Sequence, residues 1–218
     1  LPEKLNHLPS LARSLQREGY HTGYLYGGDS TIMNKKGYPV ATGYRQLTSA
    51  ADFPKRETSE SKWGANDSVT ARRTYEMIAG GQMPEPWHMT FQTLSSHEPF
   101  EVPYHRLSDK KLNAFAFTDH CVTTLIDSLR NTPQWDNLLV ILIPDHGFLY
   151  DLTYESPEFF HAPMLWLGGA IREPRRMEVL MNQSDLAATL LSQMGVPHQD
   201  YPWSRNVLSR NYVNPFVY

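Results

Sequence analysis

Leu138 to Ile143 constrains the fold more than any other stretch: an unbroken run of branched aliphatic residues, ended at once by Pro144-Asp145-His146-Gly147. A run this short cannot cross a bilayer, which takes about 20 apolar residues. It lacks the polar alternation of a half-solvated strand, so it reads as a strand buried on both faces. Strands of that kind belong to sheets with helices on either side. The rest of the chain supplies both. Residues 20–26 read as a strand ending at Gly27-Gly28, residues 87–94 as one ending at Ser95-Ser96-His97-Glu98-Pro99, and residues 163–167 as one ending at Gly168-Gly169. Between them, Leu8, Leu11, Ala12 and Leu15 recur at helical spacing, with Gly19 as a natural stop. Asp67 reads as the N-cap of a helix over 68–79, closed by Gly80-Gly81. A long helix over 109–130 carries Phe115, Val122, Leu125, Ile126 and Leu129 on one face, and Ser184 caps a last helix over 185–194. Residues 29–62 are polar and loop-rich, and the tail from Tyr201 is aromatic and irregular. The expected class is α/β, a three-layer α/β/α sandwich around a mostly parallel sheet.

A chain of 218 residues suits one such domain, or most of one. The formal net charge of −3 comes without a basic stripe, so nucleic acid is not an expected partner. The single cysteine, Cys121, excludes an intramolecular disulfide and a thiolate zinc cluster. The chain begins at Leu1, inside an apparent helix and without an initiator Met. Residues 1–218 are therefore read as the C-terminal part of a single domain.

In parallel α/β sheets, ligands gather outside the carboxyl ends of the strands. Gly27-Gly28-Asp29, Ser95-Ser96-His97 and Asp145-His146-Gly147 each follow a strand directly and should share one edge. Asp145 and His146 offer oxygen and nitrogen ligands that suit zinc or manganese. The plainer reading is a polar turn after a core strand. His97, on the loop after 87–94, can donate to an anionic oxygen or shuttle a proton, or can be an ordinary loop histidine. The same alternatives hold for His161, just before 163–167. Gly28 and Asp29 can cradle an anion through backbone N–H groups or form a simple turn, with Asn34 and Lys35 within reach. Trp63-Gly64-Ala65-Asn66-Asp67 serves most economically as a turn and helix cap.

Seven motifs occur in a fixed order: Ser-x-x-x-x-Leu-x-x-x-Gly-Tyr-x-Thr at 10–22, Tyr-Gly-Gly-Asp at 26–29, Trp-Gly-x-x-Asp at 63–67, Ser-Ser-His-Glu-Pro-Phe at 95–100, Pro-Asp-His-Gly at 144–147, His-x-Pro at 161–163 and Asp-Leu-x-x-Thr-Leu-Leu at 185–191. Together they resemble the extracellular catalytic domain of lipoteichoic-acid-synthase-like phosphoglycerol transferases, within the sulfatase and alkaline-phosphatase group. The resemblance implies an alkaline-phosphatase-like sandwich. It makes Asp145 and His146 ligands of a catalytic Mn²⁺ or Zn²⁺, with Mg²⁺ and Ca²⁺ left open. It gives His97 and His161 catalytic roles at the transferred group, and Gly28, Asp29, Asn34 and Lys35 substrate-binding ones. It also implies an acidic metal ligand and a threonine nucleophile in motifs upstream of residue 1. By that account the chain alone is catalytically silent and binds metal weakly or not at all, while its parent is active.

The implied substrate is an anionic ester on a lipid or glycan head group. The implied parent is anchored in a bacterial membrane with this domain on the extracytoplasmic side. Where the family carries a Trp and an Arg for glycerol phosphate, this sequence has Met33 and Lys35, and Lys lacks the bidentate fork of Arg. The competing readings are a sulfuric ester hydrolase on the same fold and a non-catalytic domain that keeps only the fold.

Overall fold

The computed structural model describes residues 2–31, 36–59, 61–148, 150, 153, 155–213 and 215–216. In chain order the elements are α1 (Pro2–Leu5), α2 (Leu11–Arg17), β1 (His21–Tyr26), α3 (Gly37–Thr42), β2 (Gln46–Thr48), α4 (Lys55–Thr58), α5 (Asp67–Ala79), β3 (Trp87–Gln92), α6 (Lys110–Leu129), β4 (Val140–Leu142), β5 (Leu165–Leu167) and α7 (Asp185–Gln193). They form two compact units, Leu1–Leu125 with Met177–Tyr218, and Ile126–Arg176. Among the described residues no helix is long and apolar enough to cross a membrane.

The first unit is built on a parallel sheet of order β2-β1-β3. Leu25 pairs with Thr48 on one side and Phe91 on the other. The period of two then sorts the side chains. Leu25, fully buried, joins Met77 of α5 and Met83 in a core that Trp87, Met89 and Phe91 extend. Burying each such side chain contributes about 1.5–3 kcal/mol. The opposite face carries Tyr24 with His88, Thr90 and Gln92. Tyr44 bridges this set, its hydroxyl 2.6 Å from Thr90 Oγ1 and 3.3 Å from His88 Nε2. Burial holds the His88 imidazole down at about 4 and pushes the Tyr44 phenol up to about 12. This polar, ring-lined face is why β3 does not read as uniformly apolar.

Two helix starts correct the sequence reading. The N-cap of α5 is Asn66, not Asp67: its side chain accepts from the N–H of Ser68 at 3.0 Å and of Val69 at 3.4 Å. Asp67 is the first helical residue and is buried for another purpose. Ser184 precedes α7 but makes no side-chain capping bond. That end is held by buried Asp185, which accepts from Asn182 N at 3.0 Å, from Arg205 N at 2.8 Å and from the Arg205 guanidinium at 2.8 Å. Arg205 in turn lies 4.0 Å from the Phe216 ring centre and ties the aromatic tail to α7.

In the second unit the long aliphatic run yields a three-residue strand, half-buried throughout rather than sealed on both faces. Its partner β5 runs antiparallel, with Val140 opposite Leu167 and Leu142 opposite Leu165. The parallel arrangement therefore holds for β1, β2 and β3, whereas β4 and β5 form an antiparallel pair. Antiparallel pairing puts the end of β4 beside the start of β5, which decides where His161 lies.

Candidate active site

Three of the quoted motifs meet in the first unit. Gly27 and Gly28 follow β1, and Gly28 forms an antiparallel bridge with Gly64. The Ala65 N–H donates to the Gly27 carbonyl at 2.9 Å. Gly64 has φ +134°, and a Cβ there would collide with the Gly27 carbonyl oxygen, so both the conformation and the close approach require glycine. The glycines of Tyr-Gly-Gly-Asp and Trp-Gly-x-x-Asp thus seat one backbone against the other. Asp29 beyond them is exposed, and accepts from Thr31 Oγ1 at 2.7 Å and Thr31 N at 2.8 Å. The Thr31 hydroxyl and N–H hold its carboxyl below the usual range. Asn34 and Lys35, like Met33, lie outside the described residues.

The third motif is the His97 loop. It leaves β3 through two successive turns, His97 N–H to Leu94 O at 3.1 Å and Phe100 N–H to His97 O at 3.0 Å. Phe100 closes it at φ +60°, a conformation rare for a bulky residue, with its ring buried. His97 stays exposed at the corner. Its Nδ1 lies 3.0 Å from the Glu98 carbonyl, which can only accept, so Nδ1 carries the hydrogen and Nε2 is left to take up or release a proton. Trp63 packs edge-on against the His97 ring at 5.2 Å and donates its indole N–H to the same Glu98 carbonyl.

Beneath this loop lies Asp67. Its carboxylate accepts from Leu94 N at 2.7 Å, from Ser95 N at 3.2 Å and from Thr118 Oγ1 of α6 at 2.7 Å. Its own N–H donates to Ser95 Oγ at 2.8 Å. Burial pushes the Asp67 carboxyl up, against the pull of the bonds from Thr118, Leu94 and Ser95. Cys121, one turn along α6 from Thr118, is buried, and burial with the Asp67 charge pushes its thiol up to about 12. It is a packing residue, not a nucleophile. Sequence reasoning missed the role of Asp67, because a carboxylate at a helix start looks the same whether it caps or anchors.

The second unit gathers the other candidates. Asp145 and His146 follow β4, and His161 precedes β5, at the same end of the antiparallel pair. A Cβ on Gly147 would collide with the carbonyl oxygen of Phe159, so the Asp-His-Gly turn lies directly on the turn of residues 157–160 that leads into His161. All three side chains are exposed to solvent. His146 Nδ1 is 2.6 Å from the Gly147 carbonyl and must donate to it, which leaves the Nε2 lone pair outward. That Nε2 stands 3.7 Å from Asp145 Oδ2. Two donors on one tetrahedral zinc stand roughly 3.4 Å apart, given bonds of about 2.1 Å, so the pair fits as two ligands of one cation. Among the described residues no group of three His, Cys, Asp or Glu is placed to hold a metal.

Residues 2–196 match the sulfatase family. The chain belongs to that family. Across 97% of its length this sulfatase-family chain is 20% identical to lipoteichoic acid synthase 2 of Bacillus subtilis (strain 168), and covers 36% of that protein. Among solved structures it resembles a protein of the alkaline phosphatase superfamily from Vibrio parahaemolyticus, with a TM-score of 0.78, 26% identity, and coverage of 91% of this chain and 50% of the other. It also resembles the lipoteichoic acid synthase LtaP from Listeria monocytogenes, with a TM-score of 0.76, 17% identity, and coverage of 92% and 56%. The alkaline-phosphatase-like α/β fold expected from the motifs is therefore present. The chain spans little more than a third of its curated relative and about half of each solved one.

Proposed function

We propose that this chain is the C-terminal part of the catalytic domain of a divalent-metal-dependent transferase or hydrolase. In this reading it moves a phosphoryl group of the phosphoglycerol or phosphoethanolamine type on lipid or polysaccharide head groups of the bacterial envelope. The observation that carries the proposal is the pairing of Asp145 Oδ2 with His146 Nε2 at 3.7 Å, the second nitrogen fixed in the ligating tautomer by the Gly147 carbonyl. The likeness to lipoteichoic acid synthases favours phosphoryl over sulfuryl esters.

Asp145 and His146 would hold a Mn²⁺ or Zn²⁺ ion. When bound, such an ion lowers the pKa of a coordinated hydroxyl and neutralises charge on the ester oxygens. The chain's own residues do the rest. His97, with Nδ1 engaged, presents Nε2, which in the protonated imidazolium donates to an ester oxygen and can pass that proton to the leaving oxygen. His161 would serve the same class of oxygen. Gly28 and Asp29, with Asn34 and Lys35, would meet the head group. A cavity of about 450 Å³ begins at Phe100, three residues beyond His97, and is lined by Val102, Tyr104, Leu107, His105 and Lys110. Glu101 lines it too and pairs with Lys110 at 3.9 Å, so the rings and aliphatic groups suit the apolar part of a substrate rather than its anion. The parent protein would be membrane-anchored with this domain extracytoplasmic, where such head groups lie.

The test uses the full-length parent with phosphatidylglycerol, phosphatidylethanolamine and an aryl sulfate in parallel, with and without added Mn²⁺ or Zn²⁺. Metal-dependent release of diacylglycerol, lost in Asp145→Ala and in His97→Ala, is the expected result. Turnover of the aryl sulfate alone would replace the reading with a sulfatase, and no turnover of any substrate would favour a domain that keeps only the fold.

A further inference from the structure

We infer that Asp67 is a positioning residue for His97: its buried carboxylate fixes the start of the loop that carries the histidine, and Trp63 of the same motif fixes the far side. The inference deepens the proposed function and rests on that reading of His97 as the phosphoryl-facing histidine.

A histidine on an exposed loop sweeps several ångströms unless the backbone beneath it is held, and a catalytic group must stay within about 0.5 Å of its working position. The two residues that open this loop, Leu94 and Ser95, are buried and present N–H groups away from any strand partner. Both donate to Asp67, one to each carboxylate oxygen, while Ser95 Oγ accepts the Asp67 N–H in return. The loop is therefore fastened to the first residue of α5, itself clamped to α6 through Thr118. A helix N-terminus favours a negative charge at that place. Two turns on, Trp63 of the same Trp-Gly-x-x-Asp motif contacts the imidazole and bonds the Glu98 carbonyl that also receives His97 Nδ1. Both ends of the motif act on one histidine. A helix-capping role, by contrast, would require neither the bonds to Leu94 and Ser95 nor the tryptophan on the ring, and Asn66 already supplies the cap.

The experiment is NMR on this chain, with Asp67→Asn beside a control of matched stability, Met77→Ala, which thins the core below the same helix. The first readout is the Trp63 contact, seen as ring-current shifts of the His97 ring protons and their cross-peaks to the indole. The second is the response of those protons to added inorganic phosphate at fixed pH. Asp67→Asn should erase the Trp63 contact and weaken phosphate by about tenfold or more, and Met77→Ala should change neither. Should Asp67→Asn fail to fold, Ser95→Ala carries the same test, with a smaller loosening of the contact and a weaker phosphate response. Retention of the wild-type Trp63 contact in Asp67→Asn, or in Ser95→Ala where that variant stands in, overturns the inference. So does equal loss in Met77→Ala. A wild-type His97 blind to phosphate, with the contact still dependent on Asp67, leaves the positioning role intact and removes the functional reading instead.

Discussion

The two units hold their candidate residues in opposite ways. In the first, His97 stands at the surface, but the groups beneath it are sealed: Asp67 has no solvent exposure and three donors on its side chain. In the second, Asp145 and His146 are themselves the surface, with side chains 84% and 72% exposed. Their order comes from the backbone, through the seat of Gly147 on Phe159, the bond from His146 Nδ1 to Gly147 O and the His146 N–H that donates to Asp145 Oδ1. The difference teaches what each set is suited for. A proton-transferring histidine needs a rigid base and an open tip. A pair of metal ligands needs open lone pairs, and the cation itself supplies the rigidity once it binds.

The largest effect expected from this contrast is on stability. Asp67→Ala leaves two buried amides and a hydroxyl without their acceptor, each at about 1–3 kcal/mol, so a loss of roughly 3 kcal/mol or more should appear in urea unfolding. A loss under about 1 kcal/mol would mean that water replaces the carboxylate and that the site is not sealed. Next comes Gly147→Ala, where the new methyl meets backbone rather than a yielding side chain. It should cost about 1–3 kcal/mol, concentrated in the second unit, with amide exchange in residues 157–161 speeding up while β1 and β3 stay protected. A uniform change would contradict the division into units.

A smaller effect separates two titrating groups of the first unit by sign. His88 is held at about 4 against an ordinary 6.5, so its contribution is present above pH 6.5 and lost as pH falls towards 4. Asp67 is raised, so its contribution is present below its ordinary 3.8 and lost as pH rises through its folded value. Unfolding free energy measured from pH 3 to pH 8 should show both slopes, the acid-side loss flattened by His88→Gln and the opposing slope removed by Asp67→Asn. Reversed assignments would show that one of the two groups is not buried as described.

Much of this was legible in the sequence, for identifiable reasons. The alternation of apolar strands with amphipathic helices located β1, β3, α5, α6 and α7, because each buries a face large enough to leave a period. It missed β2 and α3, short elements rich in Gly, Pro and polar residues that tertiary pairing holds in place. The strand over 163–167 was legible, but its antiparallel direction was not, because a short apolar strand fits either direction. Asp145 and His146 announced themselves by following that strand. Asp67 did not, since Asn66 and Asp67 are adjacent and both are good caps, and only the fold tells which one does the capping. Its place in a motif shared with Trp63 was the one available hint.

The most direct test of the central claim is calorimetric titration of this chain with Zn²⁺ and Mn²⁺, alongside Asp145→Ala. Being exposed, Asp145→Ala should leave the unfolding free energy within about 0.5 kcal/mol, so any change in metal binding reports on ligation alone. A two-ligand site falls short of the three protein ligands of a catalytic zinc, so the account predicts weak binding, with a Kd above about 1 µM, that disappears in the variant. Submicromolar binding would show a fuller ligand set than Asp145 and His146 provide. Weak binding that survives Asp145→Ala unchanged would show that this pair is not the metal site.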